Sequence, residues 1–237
     1  MHNKAWFFGD SFTFGDGCRV GYEYYEKYPT LRENIWTDLI SEKLNLEQVN
    51  KGIPGNSNGY ILKQLIENLI NFKSGDYIFL SDTLPIRVLY PNKETKTVEP
   101  LTTDILLGFN DTENFDLDKK VSVNKFLSNK EEKKTAVEYI YQSVVGKETS
   151  WSNFYNEQFS SIQNFLLSKG VEVYTWSYKL WAWNSMIPGP PKYESIGKAT
   201  RGKIDDGHWS WNGHKDFYTD FVKRIEKKDY TFKSPLI

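Results

Sequence analysis

The feature that most constrains this chain is a rhythm in which short apolar runs alternate with segments whose apolar residues recur at helical spacing. Lys4 to Gly9 (Lys-Ala-Trp-Phe-Phe-Gly) is the first such run, closed by Gly-Asp-Ser, and it suits a strand buried on both faces. Asn34 to Leu44 carries Ile35, Trp36, Leu39, Ile40 and Leu44 on one helical face, with Asn34 available as the cap. Leu46 to Lys51 reads as a second strand running into Gly52-Ile53-Pro54-Gly55, followed by a helix whose Ile61, Leu62, Leu65, Ile66, Leu69 and Ile70 form one broad face. Asp76 to Leu80 is a third strand. The rhythm returns with a predicted helix near Ser152 to Ser168, Gly170 as its stop, a strand Val171 to Trp176 and a last helix from about Trp211 to Ile225. Such alternation builds βαβ units with right-handed crossovers, so the expected fold class is α/β, a parallel sheet between two layers of helices.

Val88 to Ser150 breaks the rhythm. It holds Pro91, Pro100, an acidic loop from Asp111 to Asp118, and a charged segment, Lys130 to Lys134, that opens a predicted helix to Val145. A structureless loop of that length does not belong inside a compact domain, so 88–150 is read as an insertion within a single domain of 1–237. The acidic loop lacks the glycine that a calcium loop needs at its sixth position and reads as solvated.

Charge excludes one class of partner. With 30 Lys+Arg against 31 Asp+Glu, the chain lacks the basic excess that draws a protein onto nucleic acid or an anionic membrane. The lone Cys18 can form no intrachain disulfide, which fits a reducing compartment. The apolar run ending at Gly9 is shorter than the roughly 7–15 residues of a signal core, and no stretch reaches the ~20 apolar residues of a bilayer span. A cytoplasmic protein with no membrane span is therefore expected.

In an open α/β sheet the ligand site lies beyond the carboxyl ends of the strands, so residues just after each strand come first. The first strand delivers Asp10-Ser11, the second Gly55-Asn56-Ser57, the third Ser81-Asp82-Thr83, and the region after the fourth Asp205-Asp206-Gly207-His208. A serine becomes nucleophilic when a base takes its proton, and an imidazole does so best when a carboxylate fixes its tautomer. Of the three histidines, His2 precedes the first strand and His214 falls inside the last helix, which leaves His208 as the base.

Three blocks resemble the SGNH, or GDSL-type, esterases and acyltransferases. Phe8-Gly9-Asp10-Ser11 is similar to their nucleophile block, Asn50 to Asn56 to their second block, and Asp205-Asp206-Gly207-His208 to their terminal Asp/His block. The resemblance implies a flavodoxin-like three-layer sandwich, Ser11 as nucleophile, His208 as base, and an oxyanion hole from the backbone N–H groups of Ser11 and Gly55. It implies no cofactor and a small-molecule or carbohydrate ester as substrate. The chain departs from the family where a Gly-x-Asn usually stands, having Leu80-Ser81-Asp82-Thr83 instead. An ionised aspartate cannot donate a hydrogen bond, so either Ser81 or Thr83 takes the donor role, backbone donors act alone, or the site has lost catalysis and serves binding. Asp205 fits an Asp-x-x-His spacing and Asp206 an Asp-x-His spacing for the triad acid. Substrate contacts are expected from Asp10, Asn56, Arg87 and Trp209.

Rival readings are few. Gly55-Asn56-Ser57-Asn58-Gly59 has the Gly-x-Ser-x-Gly form of a nucleophile elbow, but only one plausible strand precedes the one that leads into it, where that fold is expected to place several. Zinc needs three or four ligands, which one Cys and the pair His208 and His214 do not supply, so no metal is expected. The tryptophans Trp176, Trp181, Trp183, Trp209 and Trp211 would suit sugar rings, although core packing accounts for most of them.

Overall fold

Phe7 and Phe8 point to opposite faces of one strand, and the two hydrophobic layers of the molecule grow from that alternation. The computed structural model describes residues 3–15, 34–83, 88–92, 97–101, 148–177, 193, 195–197 and 206–230. Its elements in chain order are β1 (Lys4–Phe8), a one-turn helix α1 (Ser11–Phe14), α2 (Trp36–Leu44), β2 (Glu47–Asn50), and α3 (Asn58–Glu67) with a 3-10 turn at Leu69–Asn71. There follow β3 (Tyr77–Asp82), the strands β4 (Val88–Asn92) and β5 (Thr97–Leu101), α4 (Glu148–Ser168), β6 (Glu172–Ser177), the strands β7 (Ser195–Gly197) and β8 (Asp206–Trp209), and α5 (Trp211–Glu226).

The central sheet has the order β2-β1-β3-β6, and every pair within it is parallel. Ala5, Phe7, Phe79, Tyr174 and Trp176 face a layer supplied by Trp36 and Ile40 of α2 and Phe217 and Phe221 of α5. Trp6, Phe8, Ile78, Leu80 and Val173 face Ile61 and Leu65 of α3 and Phe159 and Leu166 of α4. Burying each large apolar side chain stabilises the fold by roughly 1.5–3 kcal/mol, and offset or edge-on ring pairs add to that. Phe7 stacks on Phe79 at 4.8 Å and meets Trp36 edge-on at 5.3 Å. The aromatic excess is thus spent largely in one core layer.

Sequence and structure differ at several boundaries. Ile35, rather than Asn34, is the N-cap of α2, and its backbone N–H is satisfied by Asp38 Oδ2 at 3.0 Å, an acidic residue in the first turn where the helix dipole favours it. The third strand runs on to Asp82, because Ser81 and Asp82 continue the register with Trp176 and Ser177, so these two residues end the strand instead of following it. Gly170 does stop α4: at φ +76° its N–H reaches the Leu167 carbonyl, and Val171 N–H reaches that of Leu166. Within the expected insertion β4 and β5 pair antiparallel, while the acidic loop Asp111 to Asp118 and the helix expected at 130–145 lie outside the described residues. Among the described residues no helix is long and apolar enough to cross a membrane.

Candidate active site

The strand order sets where a ligand can lie. From β1 the chain goes outward to β2 and then crosses back to β3 on the other side, so the crevice of this doubly wound sheet opens beyond the carboxyl ends of β1 and β3. Gly9 to Phe14 follow the first of these strands and Thr83 the second.

Immediately after β1 the backbone turns into α1, and Asp10 makes that turn possible. Its Oδ1 accepts the Phe12 N–H at 3.1 Å as the N-cap of α1, and Gly15 closes the turn at φ +82°. Ser11 is the first residue of the turn. It is 2% exposed, and its Oγ has no hydrogen-bond partner among the described residues. A buried hydroxyl left in that state costs about 1–3 kcal/mol, which a chain retains where strain or chemistry accounts for it. Gly9 admits no side chain, because a Cβ there would stand 2.1 Å from both Ser81 Oγ and Thr13 Oγ1.

The segment after β2 is drawn to the same place by backbone bonds. Lys51 N–H reaches the Phe7 carbonyl at 2.8 Å and Ile53 N–H the Gly9 carbonyl at 3.2 Å. Asn56 Nδ2 also donates to the Gly9 carbonyl, at 2.9 Å, beside Gly55 at φ +74°. Ser57 is the N-cap of α3, its hydroxyl accepting the Tyr60 N–H at 3.2 Å, which gives the Gly-x-Ser-x-Gly sequence a structural role.

From β3, Thr83 reaches across the crevice. Its Oγ1 donates to Asp10 Oδ2 at 2.8 Å, while Asn58 grips its backbone twice, through Thr83 N–H to Oδ1 at 2.8 Å and Nδ2 to the Thr83 carbonyl at 3.2 Å. The Ser81 hydroxyl is fully buried, 3.4 Å from both the Phe8 carbonyl and Thr13 Oγ1. The single hydroxyl proton of Thr83 is therefore directed at Asp10, and the Ser81 hydroxyl is packed against Gly9 and Thr13.

His208 arrives from the other end of the chain, on β8, and is partly exposed. The ring of Phe12 brings it to the α1 turn, with centroids 5.2 Å from His208 and 4.8 Å from Trp209. Asp206 begins the same strand, whereas Asp205 and Arg87 lie outside the described residues. His2, Cys18, Trp181 and Trp183 lie outside them as well.

Three residues expected to touch substrate, Trp209, Asp10 and Asn56, are buried in the structure, as Ser11 is. Trp209 is 2% exposed and packs on Phe217 at 4.7 Å, because the apolar residue after His208 faces the core. Asp10 is fully buried between Phe12 N–H and Thr83 Oγ1. Asn56 is fully buried too, its amide given to the Gly9 carbonyl and Gln64 Oε1, its Oδ1 accepting Ser57 N–H. Trp176 belongs to the core, and His214, 1% exposed, meets Trp209 edge-on at 5.4 Å. Asn58 and Phe12 become site residues only in the fold, because nothing in the sequence relates position 58 to 83 or 12 to 208.

No family model matches the sequence, and no curated protein matches it. Among solved structures the chain is similar to a member of the lipolytic protein G-D-S-L family from Veillonella parvula, at 13% identity and TM-score 0.37, covering 94% of this chain and 98% of that one. It is similar to an acetyl xylan esterase from Geobacillus stearothermophilus at 12% identity and TM-score 0.37, covering 98% and 97% of the two chains. A GDSL-like lipase from Bacteroides thetaiotaomicron aligns at 10% identity and TM-score 0.32, covering 95% of this chain and 88% of that one. At these scores the likeness carries no conclusion about chemistry, which has to come from the residues themselves.

Proposed function

We propose that the chain is a serine ester hydrolase, with Ser11 as nucleophile, His208 as general base and Asp205 or Asp206 as the carboxylate that orients the imidazole. The observation that carries this reading is the buried Ser11 hydroxyl, without a partner among the described residues, at the carboxyl end of β1 beside the crevice and joined to His208 through the ring of Phe12. A hydroxyl awaiting a base or a substrate has this character, and apo sites often hold nucleophile and base further apart than the reacting complex does.

In the proposed reaction Ser11 Oγ attacks the acyl carbonyl carbon while the His208 imidazole takes the hydroxyl proton. The carbonyl oxygen becomes an oxyanion, for which the backbone N–H groups of Ser11 and Gly55 serve as donors. Each such donor is worth about 2.7–4 kcal/mol of barrier. Since the Thr83 proton goes to Asp10, backbone donors acting alone are the favoured alternative. Collapse of the tetrahedral intermediate breaks the ester C–O bond, the imidazolium protonates the leaving alcohol, and an acyl-Ser11 ester remains. Water activated by His208 then releases the acid, whereas a hydroxyl acceptor in its place makes the same chemistry an O-acyltransferase. The substrate class is a small acyl ester, including O-acetylated carbohydrates, and the reaction needs no cofactor.

The test is covalent labelling with a fluorophosphonate probe alongside hydrolysis of short-chain p-nitrophenyl esters. Labelling at Ser11, lost in Ser11→Ala and His208→Ala, is the expected result. Folded protein that neither labels at Ser11 nor hydrolyses the esters would overturn the reading and leave a binding role.

A further inference from the structure

We propose that Thr83 is a positioning residue for the nucleophile, acting through Asp10. The inference rests on Ser11 being the nucleophile, as proposed above, and adds how the site holds it.

Ser11 is the first residue of the one-turn helix α1. Four residues cannot hold helical geometry unaided, since nucleation fixes several dihedrals for each hydrogen bond gained. What stabilises α1 is its cap, the Asp10 carboxylate on Phe12 N–H. That carboxylate is fully buried, so both of its oxygens need partners. Oδ1 is used by the cap, and Oδ2 receives the Thr83 hydroxyl at 2.8 Å, a distance typical of a hydrogen bond to a carboxylate. Rotation of the Asp10 side chain would break both bonds together, so the Thr83 hydroxyl locks the rotamer that caps the nucleophile's turn.

Thr83 is itself immobilised. Asn58, 5% exposed at the start of α3, pairs with both its N–H and its carbonyl. The series Asn58, Thr83, Asp10, Phe12 N–H thus links the start of α3, the end of β3 and the turn after β1 across the crevice where the strand order reverses. A hydroxyl at position 83 is required by this arrangement, and the adjacent methyl is not. Serine can reproduce the bond, whereas valine, of nearly the same shape, cannot.

The experiment compares wild type, Thr83→Val and Thr83→Ser by fluorophosphonate labelling of Ser11, by kcat and KM on a p-nitrophenyl ester, and by thermal melting. Misplacing a reacting atom by an ångström can cost about a hundredfold, so Thr83→Val is expected to lower the labelling rate and kcat by about tenfold or more, with KM little changed. Thr83→Ser restores both rates. In an Asp10→Ala background Thr83→Val should add no further loss, because its route of action is already gone. Should Thr83→Val fail to fold, Asn58→Ala takes its place, loosening Thr83 while leaving the hydroxyl, with the same fall in kcat at constant KM expected. Wild-type rates in folded Thr83→Val, or failure of serine to rescue, would overturn the inference while Ser11 labelling stands. Absence of labelling in the wild type would remove the esterase reading, and this inference with it.

Discussion

The ring of Phe12, the residue directly after Ser11, stands 5.2 Å from the imidazole of His208, centroid to centroid, and 4.8 Å from the ring of Trp209. One side chain therefore joins the turn after the first strand to a strand almost two hundred positions later. Phe12 is 3% exposed and belongs to the core layer shared by α2 and α5.

Phe12→Ala should lower stability by about 3–5 kcal/mol, measured by denaturant unfolding, through lost burial and the cavity left behind. Phe12→Leu keeps much of the volume and none of the ring contact. It should cost less stability yet still reduce ester turnover, because β8 loses the surface that seats His208. Turnover unchanged in Phe12→Leu would show that His208 is placed by other contacts.

Ser57 caps α3, so Ser57→Ala should cost about 0.5–2 kcal/mol of stability and leave Ser11 labelling intact. Loss of turnover in a folded Ser57→Ala, with Ser11→Ala still active, would move the nucleophile to position 57.

At Gly9 an added methyl would collide with Ser81 Oγ and Thr13 Oγ1, both 2.1 Å from the ideal Cβ position. Gly9→Ala should destabilise by at least the ~1–3 kcal/mol typical of overpacking and displace the Ser11 turn. Adding Ser81→Ala removes one of the colliding atoms and should recover part of the loss in a thermal melt. A double variant no more stable than Gly9→Ala would place the strain elsewhere.

Far from the crevice, Glu172 accepts hydrogen bonds from Tyr230 and, at 3.4 Å, Tyr174. Burial, followed by the hydrogen bond to Glu172 and its charge, pushes the Tyr230 phenol up to about 12, and burial raises Tyr174 further. A raised phenol favours the folded state while it stays protonated. Its contribution is complete below about pH 10, the ordinary tyrosine value, and is lost as pH climbs through about 12. The melting temperature should fall across that interval, and more gently in Tyr230→Phe. Parallel alkaline profiles for the two proteins would contradict the assignment.

Much of the fold was legible because a sheet buried on both faces leaves a local record. The run Ala5 to Phe8, the helical stripe from Ile35 to Leu44 and the stop at Gly170 each reflect forces acting within a few residues, and each element formed within a residue or two of its expected bounds. Boundaries shifted where a contact from elsewhere intervened. Asp38 capped Ile35 in place of Asn34, and pairing with β6 drew Ser81 and Asp82 into β3.

The amino-acid order alone determined the α/β class, the four strands of the central sheet with the helices between them, and which serine stands at the end of the first strand, since periodicity and turn chemistry are properties of neighbouring residues; the paired strands β4 with β5 and β7 with β8 emerged only in the fold. Tertiary structure decided that Thr83 gives its proton to Asp10, that Asn58 holds Thr83, that Trp209 and Asn56 turn inward, and that Phe12 meets His208. Those facts depend on which strand ends lie side by side once β1 and β3 are paired, and hydrogen bonds between positions 73 or 25 apart leave no trace in local sequence.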